Sequence, residues 1–223
     1  MQKRLLIVGA GGFGRETYYL AQDCQRASGE WYIGGFHDAN VDALRGFDLP
    51  VGIVGDPRTY QPTPGDVYVC AIGDPGVKLR VGRELEARGA NFVSLVHPTA
   101  IVRPACRIGR GVLISPYVIV SCNVTLGDFV AINLTSIIGH DAVIGAGSTL
   151  SSHCAVNGFA QLGEGAFLGS HAVVMPGAKV GDYGKVGAGS VVLHRLAAHT
   201  TAMGVPAKRL CSAEELQQPR HVA

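Results

Sequence analysis

The chain has 223 residues, long enough for two compact domains, with a formal net charge of +2 and only 16% charged residues. That balance, with no Lys/Arg stripe, argues against a nucleic-acid binder, and no apolar run approaches the ~20 residues needed to span a membrane. The six cysteines show no CxxC pairing, and Leu5–Val8 is too short for a signal core, so a cytoplasmic protein with reduced thiols is expected.

In chain order, Lys3–Gly9 reads as a buried strand, and Gly9-Ala10-Gly11-Gly12-Phe13-Gly14 matches G-x-G-x-x-G. Arg15 to about Arg26 has helical character, and Trp31–Phe36 reads as a second strand ending at His37-Asp38. Pro50, Pro57, Pro62 and Pro64 mark a loop-rich middle. Val67–Ile72 is a further strand ending in Gly73-Asp74-Pro75, a helix follows through about Arg88, and Asn91–Val96 returns as a last strand. This alternation predicts a small parallel α/β sheet over residues 1–95, a half-Rossmann-like unit. Its glycines let backbone N–H groups approach a phosphate at a helix N-terminus, and Asp38 is placed to accept from a ribose or a base. Alone, the fingerprint suggests NAD. Yet a unit of this size is near half of a full dinucleotide fold and holds one nucleotide more comfortably than two, and a tight turn without ligand would use the same glycines.

From Val96 to Val192 every sixth residue is aliphatic, seventeen positions without an insertion. Four residues after each, from Ala100 to Ser190, stands only Ala, Ser, Cys, Gly or Val. A period of six fits neither an amphipathic helix nor a hairpin; it is the hexapeptide repeat of a parallel β-helix. The aliphatic residue points inward and the small residue lies near a corner, where Cys106 and Cys154 act as small hydrophobes. If three hexads close one triangular coil, residues 18 apart stack at roughly 4.7–4.9 Å. Five or so coils make a short prism, whose faces other subunits are expected to complete.

An α/β half feeding a hexapeptide half resembles the PglD/NeuD-type bacterial sugar acyltransferases, over nearly the whole chain. The resemblance is carried by Gly9–Gly14 with Arg15-Glu16, Asp38, Ala71-Ile72-Gly73-Asp74, His97-Pro98, Ile138-Gly139-His140-Asp141 and Gly204-Val205-Pro206-Ala207-Lys208. It implies a left-handed parallel β-helix over residues 96–193 and a segment over 194–223 bordering a CoA site. It further implies a homotrimer with active sites between subunits, and acetyl-CoA as co-substrate with no metal. A nucleotide sugar, in place of NAD, would be held by Gly9, Gly11, Gly12, Phe13, Gly14, Asp38, Gly73 and Asp74, and CoA would be contacted by Gly158, Ser170 and Lys208. Members acting on UDP-4-amino sugars often carry His at the fifth place of the glycine motif, where this chain has Phe13.

His140 occupies the third place of its hexad, which should project outward. Acyl transfer from a thioester needs a base for the attacking amine or hydroxyl, and an imidazole titrates in the useful range. Asp141 follows and would hold the ring in one tautomer, the role the resemblance also gives it. By the stacking rule Gly158 lies one coil beyond His140 and Cys122 one coil before; a glycine there leaves room for a thioester and a free N–H for its oxyanion. Cys122 invites a Cys–His nucleophile, which direct transfer makes unnecessary. His153 and His171, 18 apart, should stack, a poor metal site without a third ligand. The expectation is acetyl-CoA-dependent N-acetylation of a nucleotide-linked amino sugar. Its rivals are O-acetylation of a sialic-acid-type sugar, a non-catalytic nucleotide-sugar-binding scaffold and an NAD-dependent oxidoreductase. Residues 212–223 read as a polar tail or short helix.

Overall fold

The computed structural model describes residues 2–212; residues 213–223, most of the expected tail, lie outside the described residues. The N-terminal unit runs β1 (Lys3–Val8), α1 (Gly12–Ser28), β2 (Trp31–His37), β3 (Ile53–Gly55), β4 (Asp66–Cys70) and α2 (Pro75–Ala87). The strands form one parallel sheet in the order β3-β2-β1-β4. β4 and the last four residues of β1 are buried throughout, as expected of unbroken apolar runs covered on both faces. α1 buries Thr17, Tyr18, Leu20, Ala21 and Cys24 along one stripe and stops at Gly29, whose φ of 67° is the left-handed cap glycine accepts readily. α2 opens with Asp74 capping the Val77 N–H at 2.9 Å and Pro75 in the first turn.

Two expectations change here. The proline-rich middle contains an edge strand, β3, whose three residues are too few to show a period. The expected last strand at Asn91–Val96 is divided. Phe92 makes only an isolated bridge to Tyr68, and Leu95–Val96 opens the repeat domain.

That domain is a three-faced prism of two-residue rungs. Rungs pair in parallel with partners 18 residues away, as in Thr125↔Val143, Ala131↔Thr149 and Ile137↔Ala155. The second residue of each rung points inward: Ile132, Ile138, Ile144, Leu150, Val156 and Leu168 are each at most 1% exposed and share one apolar column with the small corner residues Ala142, Cys154 and Ala160. The prism is longer than the hexads alone suggest. Two faces carry six rungs, and the first face carries seven before an antiparallel strand, Lys208–Ser212, closes its end. Past Val192 the spacing shortens, so that Lys179 pairs with Arg195 and Lys185 with Thr201, 16 residues on.

The α/β unit covers the first face. Leu95, Leu113 and Ala131, which point outward there, merge into the core formed by Leu5, Ile7, Tyr18 and Val67. Two glycines make the helix–prism contact possible. Leu79 of α2 sits in the notch above Gly147, and Gly82 leaves room for the ring of Phe129. Salt bridges from Arg83 to Glu164 at 2.7 Å and from Arg110 to Glu86 at 2.9 Å flank this seam.

Candidate active site

His140 and Asp141 form the turn between the second and third faces, after the rung Ile137–Ile138. Asp141 takes the left-handed conformation, φ 58°, that turns the chain at this corner. Its Oδ2 lies 2.8 Å from Nδ1 of His140. An ionised carboxylate only accepts, so in the neutral ring the proton sits on Nδ1 and Nε2 keeps its lone pair. The ring points outward, with 53% of the side chain exposed, and packs edge-on against Phe159 with centroids 5.1 Å apart.

Gly158 stands beside it, one coil along. A Cβ there would come within 2.7 Å of Cε1 and Nε2 of His140, so any other residue would displace the imidazole. The Gly158 carbonyl accepts from Gly177 N–H at 2.9 Å, whereas among the described residues no acceptor takes the Gly158 N–H. A basic nitrogen and a bare backbone donor therefore share one open corner. Such a pair can take a proton from a nucleophile and stabilise an oxyanion.

The second group of residues lies at the carboxyl ends of the parallel strands. Gly9–Gly12 follow β1, Asp38 follows β2, and Gly73-Asp74 follow β4. β1 has β2 on one side and β4 on the other, so the crevice outside β1 and β4 is the topological switch point where such sheets bind ligands. The motif glycines divide by role. Gly9, with φ +99°, packs against the carbonyl of Ala71 and Gly14 against that of Gly9; a side chain at either would collide with backbone. Gly11 and Gly73 meet nothing within 4 Å and Gly12 only the tip of Arg15, so these three leave open backbone for a ligand. The N-terminus of α1 has no side-chain cap and no acidic residue in its first turn, leaving N–H groups free for an anion. Phe13, half-buried, packs with the α/β core and lines a cleft between α1 and the prism with Glu16, Tyr19, Pro116 and Leu134.

Asp38 and Asp74 are already engaged with backbone. Asp38 accepts from Ala10 N at 2.8 Å and from Asn40 N at 2.8 Å, which fixes the glycine loop, and Asp74 caps α2. Each retains acceptor lone pairs for a ligand. Ser170 lies on the edge between the first and second faces, apart from His140 and Gly158, and Lys208 is exposed on the terminal hairpin. His153 and His171 do stack, 4.6 Å apart and 9° from parallel, with Thr135 Oγ1 2.6 Å from Nδ1 of His153. Cys122 contributes its carbonyl to Asp141 N at 3.1 Å.

Sequence reasoning missed Phe159 and named Arg15 only as a residue that carries the family resemblance. Phe159 follows from the stacking rule applied to Asp141, 18 residues earlier. Arg15 places its guanidinium 3.7 Å above the Phe47 ring, a cation held beside the open helix N-terminus; its position directly after the glycine motif was the available signal.

A model of the PglD N-terminal domain matches residues 4–85, and one of the bacterial transferase hexapeptide (six repeats) matches residues 159–194. The crystal structure of PerB from Caulobacter crescentus, in complex with CoA and GDP-perosamine, is 33% identical with a TM-score of 0.80; the match covers 92% of this chain and 96% of that one. The chain belongs to the PglD-type sugar acyltransferases. Another structure with this fold, the acetyltransferase domain of PglB from Neisseria gonorrhoeae FA1090 with acetyl coenzyme A, is 25% identical. Its TM-score is 0.86, over 94% of this chain and 100% of that one. GDP-perosamine N-acetyltransferase from Escherichia coli O157:H7 is 30% identical over 138 residues, 60% of this chain and 61% of that protein, so the match spans less than two thirds of that relative.

Proposed function

We propose that this protein transfers an acetyl group from acetyl-CoA to the amine of a nucleotide-linked sugar, by direct attack and without an acyl-enzyme. The observation that carries the reading is His140 Nε2 beside the bare backbone of Gly158, with Nδ1 held by Asp141. Nε2 takes a proton from the sugar amine as its nitrogen attacks the thioester carbonyl. The Gly158 N–H faces the oxyanion, and Asp141 steadies the imidazolium. Collapse breaks the C–S bond, and the imidazolium returns the proton to the departing CoA sulfur. Relatives bound to CoA and GDP-perosamine or to acetyl coenzyme A support this substrate pair.

The working unit in this proposal is a homotrimer with sites between subunits. Within one chain the α/β unit covers the first face, while His140 stands on the edge between the other two. The nucleotide crevice and the base therefore face apart, which supports a second copy bringing them together. The second face offers the means: its outward Ile101, Ile119 and Ile137 are 45%, 39% and 50% exposed, an apolar ladder that a neighbouring prism would cover. Among the described residues five cysteines are free thiols, which supports a cytoplasmic setting.

The test is a thiol-release assay with acetyl-CoA and a panel of GDP-, UDP- and dTDP-linked amino sugars beside their hydroxy counterparts and free sialic acid. Turnover confined to amino sugars is expected. Product only from hydroxyl acceptors would replace N-transfer with O-transfer, and binding without thiol release would leave a scaffold.

A further inference from the structure

Lys78 is a cation in a place where cations are costly. It lies on α2, wholly buried between the α/β unit and the first face of the prism. Among the described residues no carboxylate pairs with it. The carboxylate of Asp74, one turn earlier, is committed to the helix cap, and Cys70 beside it is a buried thiol whose Sγ points to the Lys78 carbonyl. Desolvation draws the amine down to about 8. An apolar side chain would fill this seam at lower cost to the fold, so a lysine here calls for another account.

Its hydrogen bonds supply one. Nζ donates to Thr149 Oγ1 at 2.8 Å and to the Ser148 carbonyl at 3.4 Å. The same Thr149 hydroxyl donates to the carbonyl of Gly73 at 3.3 Å. Amine, hydroxyl and carbonyl thus form one directional chain, in which each bond polarises the next. It ends at the turn after β4, in the crevice between the ends of β1 and β4, where Gly73 leaves open backbone. Thr149 stands on the prism rung nine residues after His140, so the chain ties this turn to the repeat domain rather than to the sheet from which it emerges.

We propose that Lys78 is a positioning residue which, through Thr149, sets the Gly73-Asp74 turn in the geometry that receives the nucleotide sugar. This rests on the function proposed above. Lys78 touches no substrate; it holds the backbone that does.

The experiment uses the full chain and the nucleotide-linked amino sugar that gives wild-type turnover in the panel. Wild-type protein without turnover on any of them would overturn the functional reading and this proposal together, before any variant is made. Lys78→Met and Thr149→Val should each raise KM for the sugar about tenfold, the loss of one buried hydrogen bond. The double variant should be no worse than either single, because both break one chain. Thr149→Ser, which keeps the hydroxyl, should stay within about twofold of wild type, as should KM for acetyl-CoA and kcat at saturating sugar in all variants. An unchanged sugar KM in Thr149→Val overturns the proposal. So does a parallel fall in Tm, kcat and acetyl-CoA affinity that Thr149→Ser does not rescue, since that marks a merely structural contact. If Lys78→Met does not fold, the Val and Ser variants of Thr149 still decide.

Discussion

Gly158→Ala tests the proposed acyl-transfer corner with one methyl group. The added Cβ would stand 2.7 Å from Cε1 and Nε2 of His140. Carbon atoms in contact sit at about 3.5–4.0 Å, so the ring must retreat by roughly one ångström. A misplacement of that size costs about 100-fold in rate, or about 2.7 kcal/mol of transition-state stabilisation. The fold should hold. Gly158 is outside the left-handed region, and the ring, 53% exposed, can swing into solvent. Stability should therefore change by less than about 0.5 kcal/mol, as for most surface positions. In a thiol-release assay kcat should fall about 100-fold with KM for the sugar nearly unchanged, the pattern of an interaction made in the transition state. Gly177→Ala is the control. Gly177 has φ +70° and open space around it, so alanine there should lose about 1 kcal/mol of stability while kcat stays at the wild-type level. Wild-type kcat in a folded Gly158→Ala protein, or equal loss from both variants, would refute the reasoning.

His140→Ala should lower kcat by about 10²–10⁴-fold without moving Tm, and Asp141→Asn should lower it less, because the ring loses the anion that steadies the imidazolium. Leu150→Ala, at a position 0% exposed in the prism column, should cost about 2–5 kcal/mol by urea unfolding. Gly147→Val should drive Leu79 from its notch and force a β-branched residue to φ +69°, destabilising the seam with α2; a normal Tm would contradict the docking described. His37 is fully buried with both ring nitrogens unpartnered among the described residues, and burial, then the nearby Arg4, press its imidazole down to about 4. Because that lies below the ordinary value of about 6.5, stability is fully present above pH 6.5 and lost as pH falls towards 4. His37→Phe should flatten the decline in urea midpoint between pH 7 and pH 5.

What the sequence makes legible here is what stacking fixes. A period of 18 is a geometric rule, so the neighbourhoods of His140 with Gly158 and of His153 with His171 can be read by addition, and both pairs meet in the structure. Addition ends where the chain leaves the hexad: the rungs at Arg195–Leu196 and Thr200–Met203 come two residues early and could not be counted in advance. Motif spacing is a weaker guide, because one glycine pattern contains residues of two kinds. Gly9 and Gly14 are demanded by backbone contacts inside the fold, whereas Gly11 and Gly12 are the ones with a side open to a ligand. Asp38 and Asp74 carry the same ambiguity, since a carboxylate that fixes a loop and one that binds a ribose look identical in a string of letters. Lys78 was unreadable for a different reason. On a helix taken alone a lysine belongs to the solvent, and only the docking of α2 on the prism, through Gly82 and Gly147, buries it. The same docking decides where the active site can be. Counting places His140 on one edge of the prism, but only the face chosen by the α/β unit reveals that this edge is the far one. In the proposed function, a chain whose base and nucleotide crevice point apart is half of a site twice over, and catalysis belongs to the assembly.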